Sequence, residues 1–425
     1  MSARPVIPAG GPLHGTVRVP GSKSLTNRAL VLGALAEGRT VVEAALFSDD
    51  TRLMAAGLRV LGFTVEEEPQ AGRFIVYGEG GRIPAREAKI DAGNAGTVAR
   101  FLTAVAALGS GNYLVDGSAR MRQRPILDLI LALRALGCDA VAPSGCPPVW
   151  IRARGLIGGT ATVRGEVSSQ FLSALLQVAP LAASPVELVV DGPLVAEPYV
   201  EMTLGVMEAF GVRVRREDPV RYLVTPQRYA PRTFRVEPDA SSASYFFAAA
   251  AATGGAVRVP GLGPASLQGD VRFLDVLQAM GCTVEWEEEG VAVLGPVRLR
   301  GVDADLSSMP DMTMTLAALA PFTDGTVRIR GVGHIRYQES DRLEALATEL
   351  RRLGQEVVIY PDGLEVIPRP VRPAVVETYG DHRMAMAFAV VGLRAAGIAI
   401  ADPECVAKTF PGFFSVLDAL LAGRR

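Results

Sequence analysis

Along the chain, Ala- and Leu-rich runs long enough for buried helices alternate with short β-branched stretches in which apolar and polar residues take turns. One recurring segment is a small-residue helix, a glycine and then such a strand. It reads RALVLGALAEGRTVVEA from Arg28, TVARFLTAVAALGSGNYLVDG from Thr97 and QFLSALLQVAPLAASPVELVVDG from Gln170. It returns as SASYFFAAAAATGGAVRVPG from Ser242, MTMTLAALAPFTDGTVRIRG from Met312 and RMAMAFAVVGLRAAGIAIAD from Arg383. The six copies begin 69 to 73 residues apart, a period of about 71. Between them lies a second helix type closed by a glycine turn and a strand, as in LMAAGLRVLGFTVEEE and LEALATELRRLGQEVVIY. The last such helix, FFSVLDALLAG, ends the chain without its strand. Alternating helices and strands predict an α/β fold. Units of this length exceed solenoid repeats, so two lobes of three units each are expected.

The approaches to the first-type helices share polar, chemically capable residues. They are Lys23-Ser24 with Asn27-Arg28, Asn94-Ala95-Gly96-Thr97, Ser168-Ser169-Gln170, Asp239-Ala240-Ser241-Ser242, Asp311 and Asp381-His382-Arg383. Ser, Asp and Asn are ordinary N-caps, which explains any one case alone. Six in register with the repeat point further, because helix N-termini offer free N–H groups and partial positive charge. With added Lys and Arg they suit a small molecule carrying several phosphate or carboxylate groups.

Composition narrows the partners. A formal charge of −2 speaks against a basic nucleic-acid surface, and 49% hydrophobic residues suffice for more than one core. The four cysteines form no CxxC pair, and the three histidines are scattered, so neither a disulfide scaffold nor a metal site is expected. The N-terminal residues lack the apolar core of a signal peptide, and the apolar stretch 384–393 is too short to span a bilayer. A reduced, cytoplasmic monomer bound to neither nucleic acid nor membrane is the expectation. Only three lysines, Lys23, Lys89 and Lys408, stand among forty-three basic residues. In so arginine-rich a chain, a lysine marks a place that needs a compact, titratable ammonium.

Other local motifs resolve in different ways. VPGSKSLTNRAL is not a Walker A loop, since Ser22 separates Gly21 from Lys23, and no G-x-G-x-x-G follows the first strand. In RMRQRPILDLI, Arg120, Arg122 and Arg124 alternate on what reads as an extended segment, which leaves open a basic patch beside the plainer reading of a solvated basic loop. In RYQESDRLEALATEL, Ser340 reads as an N-cap with acidic neighbours, and Glu339 precedes it. Glu339 and Asp311 together make two carboxylates from adjacent units, able to divide general acid and base work. The runs AAAAA and MAMAF read as core packing.

In order, GSKSLTNRAL, GNAGTVARFL, RMRQRPI, VSSQFLSALL and PDASSASYFFAAAA, then PDMTMTLAALA, QESDRL, YGDHRMAMAF and KTFPGFF, resemble successive blocks of the EPSP synthase family of enolpyruvyl transferases. The resemblance implies an inside-out α/β barrel of three βαβαββ-type units in each lobe. Residues 20–236 would form one lobe, 1–19 plus 237–425 the other, and the active site would lie in the cleft between. It also implies transfer of the enolpyruvyl group of phosphoenolpyruvate to the 5-hydroxyl of shikimate 3-phosphate, by addition and elimination, with no metal and no organic cofactor. Carried over by motif, Lys23, Ser24, Arg28, Ser168, Ser169, Gln170, Tyr199, Asp311 and Gln338 would meet shikimate 3-phosphate. Lys23, Asn94, Gly96, Arg124, Gln170, Arg342, Arg383 and Lys408 would surround phosphoenolpyruvate. Asp311 would be the base, Glu339 the proton donor to carbon, and Lys23 a further proton carrier. Room beside Gly96 implies inhibition by glyphosate.

Three positions depart from the family pattern. Gln338 stands for a usual Lys, Ala196 for a Ser and His334 for an Asn, all on the shikimate side; Arg336 is the candidate to replace the missing charge. Two rival readings remain. A related transferase acting on UDP-N-acetylglucosamine carries a reactive Cys or Asp in a loop matching residues 108–124, where this chain has no Cys and Asp116 reads as a strand end. A catalytically silent ligand-binding relative is supported only by the three departures.

Overall fold

The structure is a computed structural model describing residues 3–423. It divides into two compact units, Gly21–Val236 and the combination of Met1–Pro20 with Glu237–Arg425. Each contains three helix-and-sheet repeats, as the periodicity predicts. One repeat shows the order: strand Glu87–Asp91, helix Gly96–Ala107, strand Ser110–Asp116, helix Leu127–Ala135, then strands Asp139–Val141 and Val149–Arg154. The first two strands are parallel, as a helical crossover requires, and Val149–Arg154 pairs antiparallel with both Ser110–Asp116 and Asp139–Val141. Among the described residues there are six such sheets, five of four strands and one of three.

Sequence-distant strands close the ends of each unit. Thr233–Arg235 lies parallel to Glu37–Glu43 and completes the first sheet of Gly21–Val236. In the other unit, His14–Thr16 lies parallel to Ala256–Pro260, and Arg4–Pro5 runs antiparallel to Ile398–Ile400. The chain start therefore completes two sheets of the second unit. The last repeat, expected to end without a strand, takes that strand from Arg4–Pro5.

The first helix of each repeat sits inside, with the sheets outside it. Every residue of helices Gly96–Ala107 and Thr313–Leu319 is buried, as are all but the N-terminal two of Lys23–Leu35. A helix covered on every side has no amphipathic stripe, which explains why these segments read as uniformly small and apolar. Helices Ala240–Thr253, Thr313–Leu319 and His382–Arg394 pack pairwise around one core. Small residues permit that approach. Among the described residues no helix is long and apolar enough to cross a membrane.

The inner helices leave little space for the strands that cross their ends. A methyl group on Gly78, in strand Arg73–Glu79, would stand 2.2 Å from the carbonyl oxygens of Gly33 and Ala36 at the end of helix Lys23–Leu35. Backbone cannot yield as a side chain does. Gly78→Ala is expected to lower the unfolding free energy by about 2 kcal/mol or more, whereas Gly263→Ala, with nothing within 4 Å, should change it little. Denaturant melts of both variants check this.

Candidate active site

In Gly21–Val236 the sequence-predicted residues collect at helix N-termini. Ser22 caps helix Lys23–Leu35 and Ser168 caps Ser169–Val178, each hydroxyl accepting a backbone N–H. Lys23 opens its helix, with Nζ 3.2 Å from Asp50, whose side chain is only 2% exposed. Sequence reading missed Asp50, which lies in the first turn of helix Asp49–Val60 and looks like an ordinary dipole-facing acid.

Gly96 starts the next inner helix, behind Ala95 rather than a capping Asn. A methyl group on Gly96 would come within 2.7 Å of an Arg124 guanidinium nitrogen and 2.9 Å of Gln170 Oε1. These three residues therefore meet. Arg124 also donates to the Asn94 carbonyl at 3.0 Å and to Asn94 Oδ1 at 3.4 Å. Arg28 lies deeper, donating to Thr203 Oγ1, the Tyr199 carbonyl and the Ser24 carbonyl at 2.8 to 3.0 Å, with Phe101 under its guanidinium. Burial pushes its pKa down to about 10, so it stays charged at neutral pH. Two of its five N–H groups remain beyond those three bonds.

Of the two readings of the arginine run, the patch does not form. Met121–Gln123 is a 3-10 turn, not an extended segment, because Ser118 Oγ accepts the Met121 N–H. Arg122 swings out to Asp116, Arg120 reaches Gln123, and only Arg124 turns inward, 4% exposed. The side chain of Ala196 adds no polar atom, and its backbone is left-handed, with φ of 53°. Tyr199 opens into helix Pro198–Ala209 directly after it.

The second unit carries the carboxylates. Asp311, in the 3-10 turn Pro310–Met312, is clamped by Arg342 at 3.0 Å and Arg383 at 2.6 Å. Arg342 also meets Glu339 at 3.0 Å and Asp381 at 2.8 Å while being 1% exposed. Burial works against its charge, but Asp381, Glu339 and Asp311 outweigh that and hold the guanidinium ionised. Asp381, itself fully buried, also caps helix His382–Arg394. Arg383 donates to Tyr245 Oη at 3.3 Å, and burial pushes that phenol up to about 12. Tyr245 was missed because it lies just ahead of the run Ala248–Ala252, which reads as core. Lys408 is 8% exposed, in the turn Pro403–Lys408 against the same helix.

The cap of helix Arg342–Arg352 is Asp341, not Ser340: its carboxylate accepts the Glu344 N–H, while Ser340 donates to Asp381. Arg336 lies on Asp341 at 3.2 Å and donates to the Tyr360 carbonyl, so its charge is answered by the cap. Gln338 Oε1 accepts from Arg342. A lysine there has no acceptor to offer.

The sequence matches the family model for EPSP synthase (3-phosphoshikimate 1-carboxyvinyltransferase) over residues 7–417. The chain belongs to the EPSP synthase family. A 3-phosphoshikimate 1-carboxyvinyltransferase of Trichormus variabilis is 48% identical over 407 residues, covering 95% of this chain and 96% of that one. A chloroplastic one of Arabidopsis thaliana is 47% identical, covering 96% of this chain and 82% of that one. Among solved structures, EPSP synthase from Acinetobacter baumannii superposes with a TM-score of 0.82 at 25% identity, covering 99% of this chain and 98% of that one. The family's lobes of βαβαββ repeats are the architecture described above.

His334, the departure from the family's Asn, is largely buried, and its Nε2 finds no hydrogen-bond partner. Burial pushes its pKa down from 6.5 to about 4, with Asp311 opposing and Arg342 reinforcing the shift. The folded chain therefore binds this proton less readily than the unfolded chain, and protonation favours unfolding. Its contribution is complete above pH 6.5 and is lost as pH falls towards 4, by up to about 3 kcal/mol. His334→Asn should narrow the difference in unfolding free energy between pH 7 and pH 4.5. Equal differences in both proteins would show that the imidazole does not titrate in this way.

Proposed function

We propose that this chain transfers the enolpyruvyl group of phosphoenolpyruvate to the 5-hydroxyl of shikimate 3-phosphate, releasing phosphate in the pathway to aromatic amino acids. Membership in a family whose relatives carry that activity supports the reading. The observation that carries it at the level of residues is the pair Asp311 and Glu339, two carboxylates held on the single guanidinium of Arg342.

In this reading Asp311 accepts the proton of the 5-hydroxyl as that oxygen attacks C2 of phosphoenolpyruvate, and Glu339 protonates the methylene carbon. The tetrahedral adduct then loses a methyl proton and expels phosphate, which restores the double bond. Lys23, Asn94, Gly96, Arg124, Gln170, Arg342, Arg383 and Lys408 surround phosphoenolpyruvate, and Lys23 is able to move a proton as well. Arg guanidinium groups grip oxyanions in pairs of bonds, while the two lysines approach as point charges. The substrate's carboxylate competes with Asp311 for Arg342 and Arg383. Its arrival loosens the clamp and leaves Asp311 a better base, so the base is released when the acceptor of its product is present.

Ser24, Arg28, Ser168, Ser169, Gln170, Tyr199, Asp311 and Gln338 hold shikimate 3-phosphate. Arg28 contributes through its two remaining N–H groups. Gln338 brings no positive charge, so the phosphate depends on the other groups.

Phosphate release from phosphoenolpyruvate is expected with shikimate 3-phosphate and not with UDP-N-acetylglucosamine; no turnover of shikimate 3-phosphate by folded protein would refute the assignment. Asp311→Asn should lower kcat by about a hundredfold to ten-thousandfold with a smaller change in KM. Glyphosate should inhibit in competition with phosphoenolpyruvate. Gly96→Ala, whose methyl group would push Arg124 and Gln170, should raise the KM for phosphoenolpyruvate by roughly tenfold, and an unchanged KM would place that substrate elsewhere.

A further inference from the structure

The turn leading into helix His382–Arg394 has a residue its backbone does not favour. The Asp381 N–H donates to the Thr378 carbonyl at 2.8 Å, so Tyr379 and Gly380 are the central pair, with φ of 56° and 65°. Two successive left-handed positions are normally filled by Asn, Asp or Gly. A bulky Tyr at the first is strained and persists only where its surroundings hold it. Its side chain supplies the hold. Tyr379 is 46% exposed, yet its hydroxyl donates at 2.8 Å to Glu349 of helix Arg342–Arg352, a carboxylate with no exposure. Glu349 also accepts the Glu377 N–H at 3.1 Å and pairs with Arg352 at 2.9 Å. One buried carboxylate thus fastens the chain on both sides of Thr378. Burial of the phenol, and then its bond to Glu349, push it up to about 12, so it remains a donor at neutral pH.

Glu349 lies seven residues after Arg342, on the same face of the helix and two turns, roughly 10 Å, further along. Segment 377–381 is therefore tied to that face at both ends, by Glu349 at one and by Arg342 at the other. At the Arg342 end, the Asp381 carboxylate accepts from Arg342 Nε at 2.8 Å, from Arg342 Nη2 at 3.3 Å and from the Arg383 N–H at 2.9 Å. Where this carboxylate stands sets both arginines. A turn released from Glu349 can relax towards ordinary backbone angles and carry Asp381 with it.

We propose that Tyr379 is a positioning residue of the transfer: its hydroxyl, anchored on buried Glu349, holds the left-handed turn that aims Asp381 at Arg342 and so presents Arg342 and Arg383 to phosphoenolpyruvate. This rests on the assignment of those two arginines to that substrate. Tyr379→Phe removes the hydroxyl alone. Tyr379→Asn suits the left-handed backbone but is too short to reach Glu349, so it separates the turn's own preference from the anchor.

The test is steady-state kinetics of the full chain, followed by phosphate release. Tyr379→Phe should raise the KM for phosphoenolpyruvate by roughly threefold to tenfold, with the KM for shikimate 3-phosphate as in wild type. Tyr379→Asn should raise it at least as much. Glu349→Gln, whose single carbonyl oxygen can serve only one of the two donors, should raise it too, and adding Tyr379→Phe to it should cost less than in wild type. A merely structural role lowers the melting temperature and leaves the ratio of the two KM values unchanged. An unchanged KM for phosphoenolpyruvate in Tyr379→Phe or Tyr379→Asn, an equal rise in both KM values, or full additivity with Glu349→Gln would overturn the proposal. If Glu349→Gln does not fold, the two Tyr379 variants decide alone. Failure of the underlying reading shows separately, as no phosphate release by the wild-type chain.

Discussion

The guanidinium of Arg342, buried to 1% exposure, is the contact on which the second unit's chemistry depends. Removing an arginine from water costs several kcal/mol, and only well-placed partners offset it. Here those partners come from three separate places: Asp311 on a turn, Glu339 ahead of the arginine's own helix, and Asp381 at the cap of another helix. Each carboxylate is thereby held in place by the same charge. Loss of the arginine would leave three negative groups together with little water to screen them, a strong penalty for any other arrangement of these elements.

The helix N-termini serve folding and chemistry with the same atoms. Asp381 accepts the Arg383 N–H as a cap and the Arg342 Nε–H as an ion-pair partner. Ser168 caps the helix whose next residues, Ser169 and Gln170, belong to the proposed site. A cap residue has little rotational freedom once its hydrogen bond is made. Groups one or two positions along are consequently presented in a fixed direction, which is what an enzyme of small anionic substrates requires. Capping and function, the two readings open for each motif in the sequence, are thus compatible with one another.

Many of the candidate residues could be read from the chain because Lys23, Gly96, Ser168, Asp311 and Arg383 sit at or just before the starts of the first-type helices of their repeats. The partners that tune them could not. Asp50 and Tyr245 are far in sequence from Lys23 and Arg383, and they look locally like a helix-start acid and a core aromatic. The basic run at Arg120–Arg124 failed as a patch because one serine hydroxyl tightens the backbone into a turn, which alternation along an extended chain does not anticipate. Ser340 lost the cap to Asp341 for a similar reason: Asp381 claims its hydroxyl from another helix.

By itself the sequence determined the period of about 71 residues, the α/β class and the helix starts at which the chemistry gathers, because hydrophobic spacing and capping are local properties. Tertiary structure alone decided that the first residues of the chain complete the sheets of the second unit, that Arg124 turns inward while Arg122 does not, and that Arg342 gathers three carboxylates. Those outcomes depend on which backbone edges and charges remain unpaired once the core has closed. No local window of sequence contains that information.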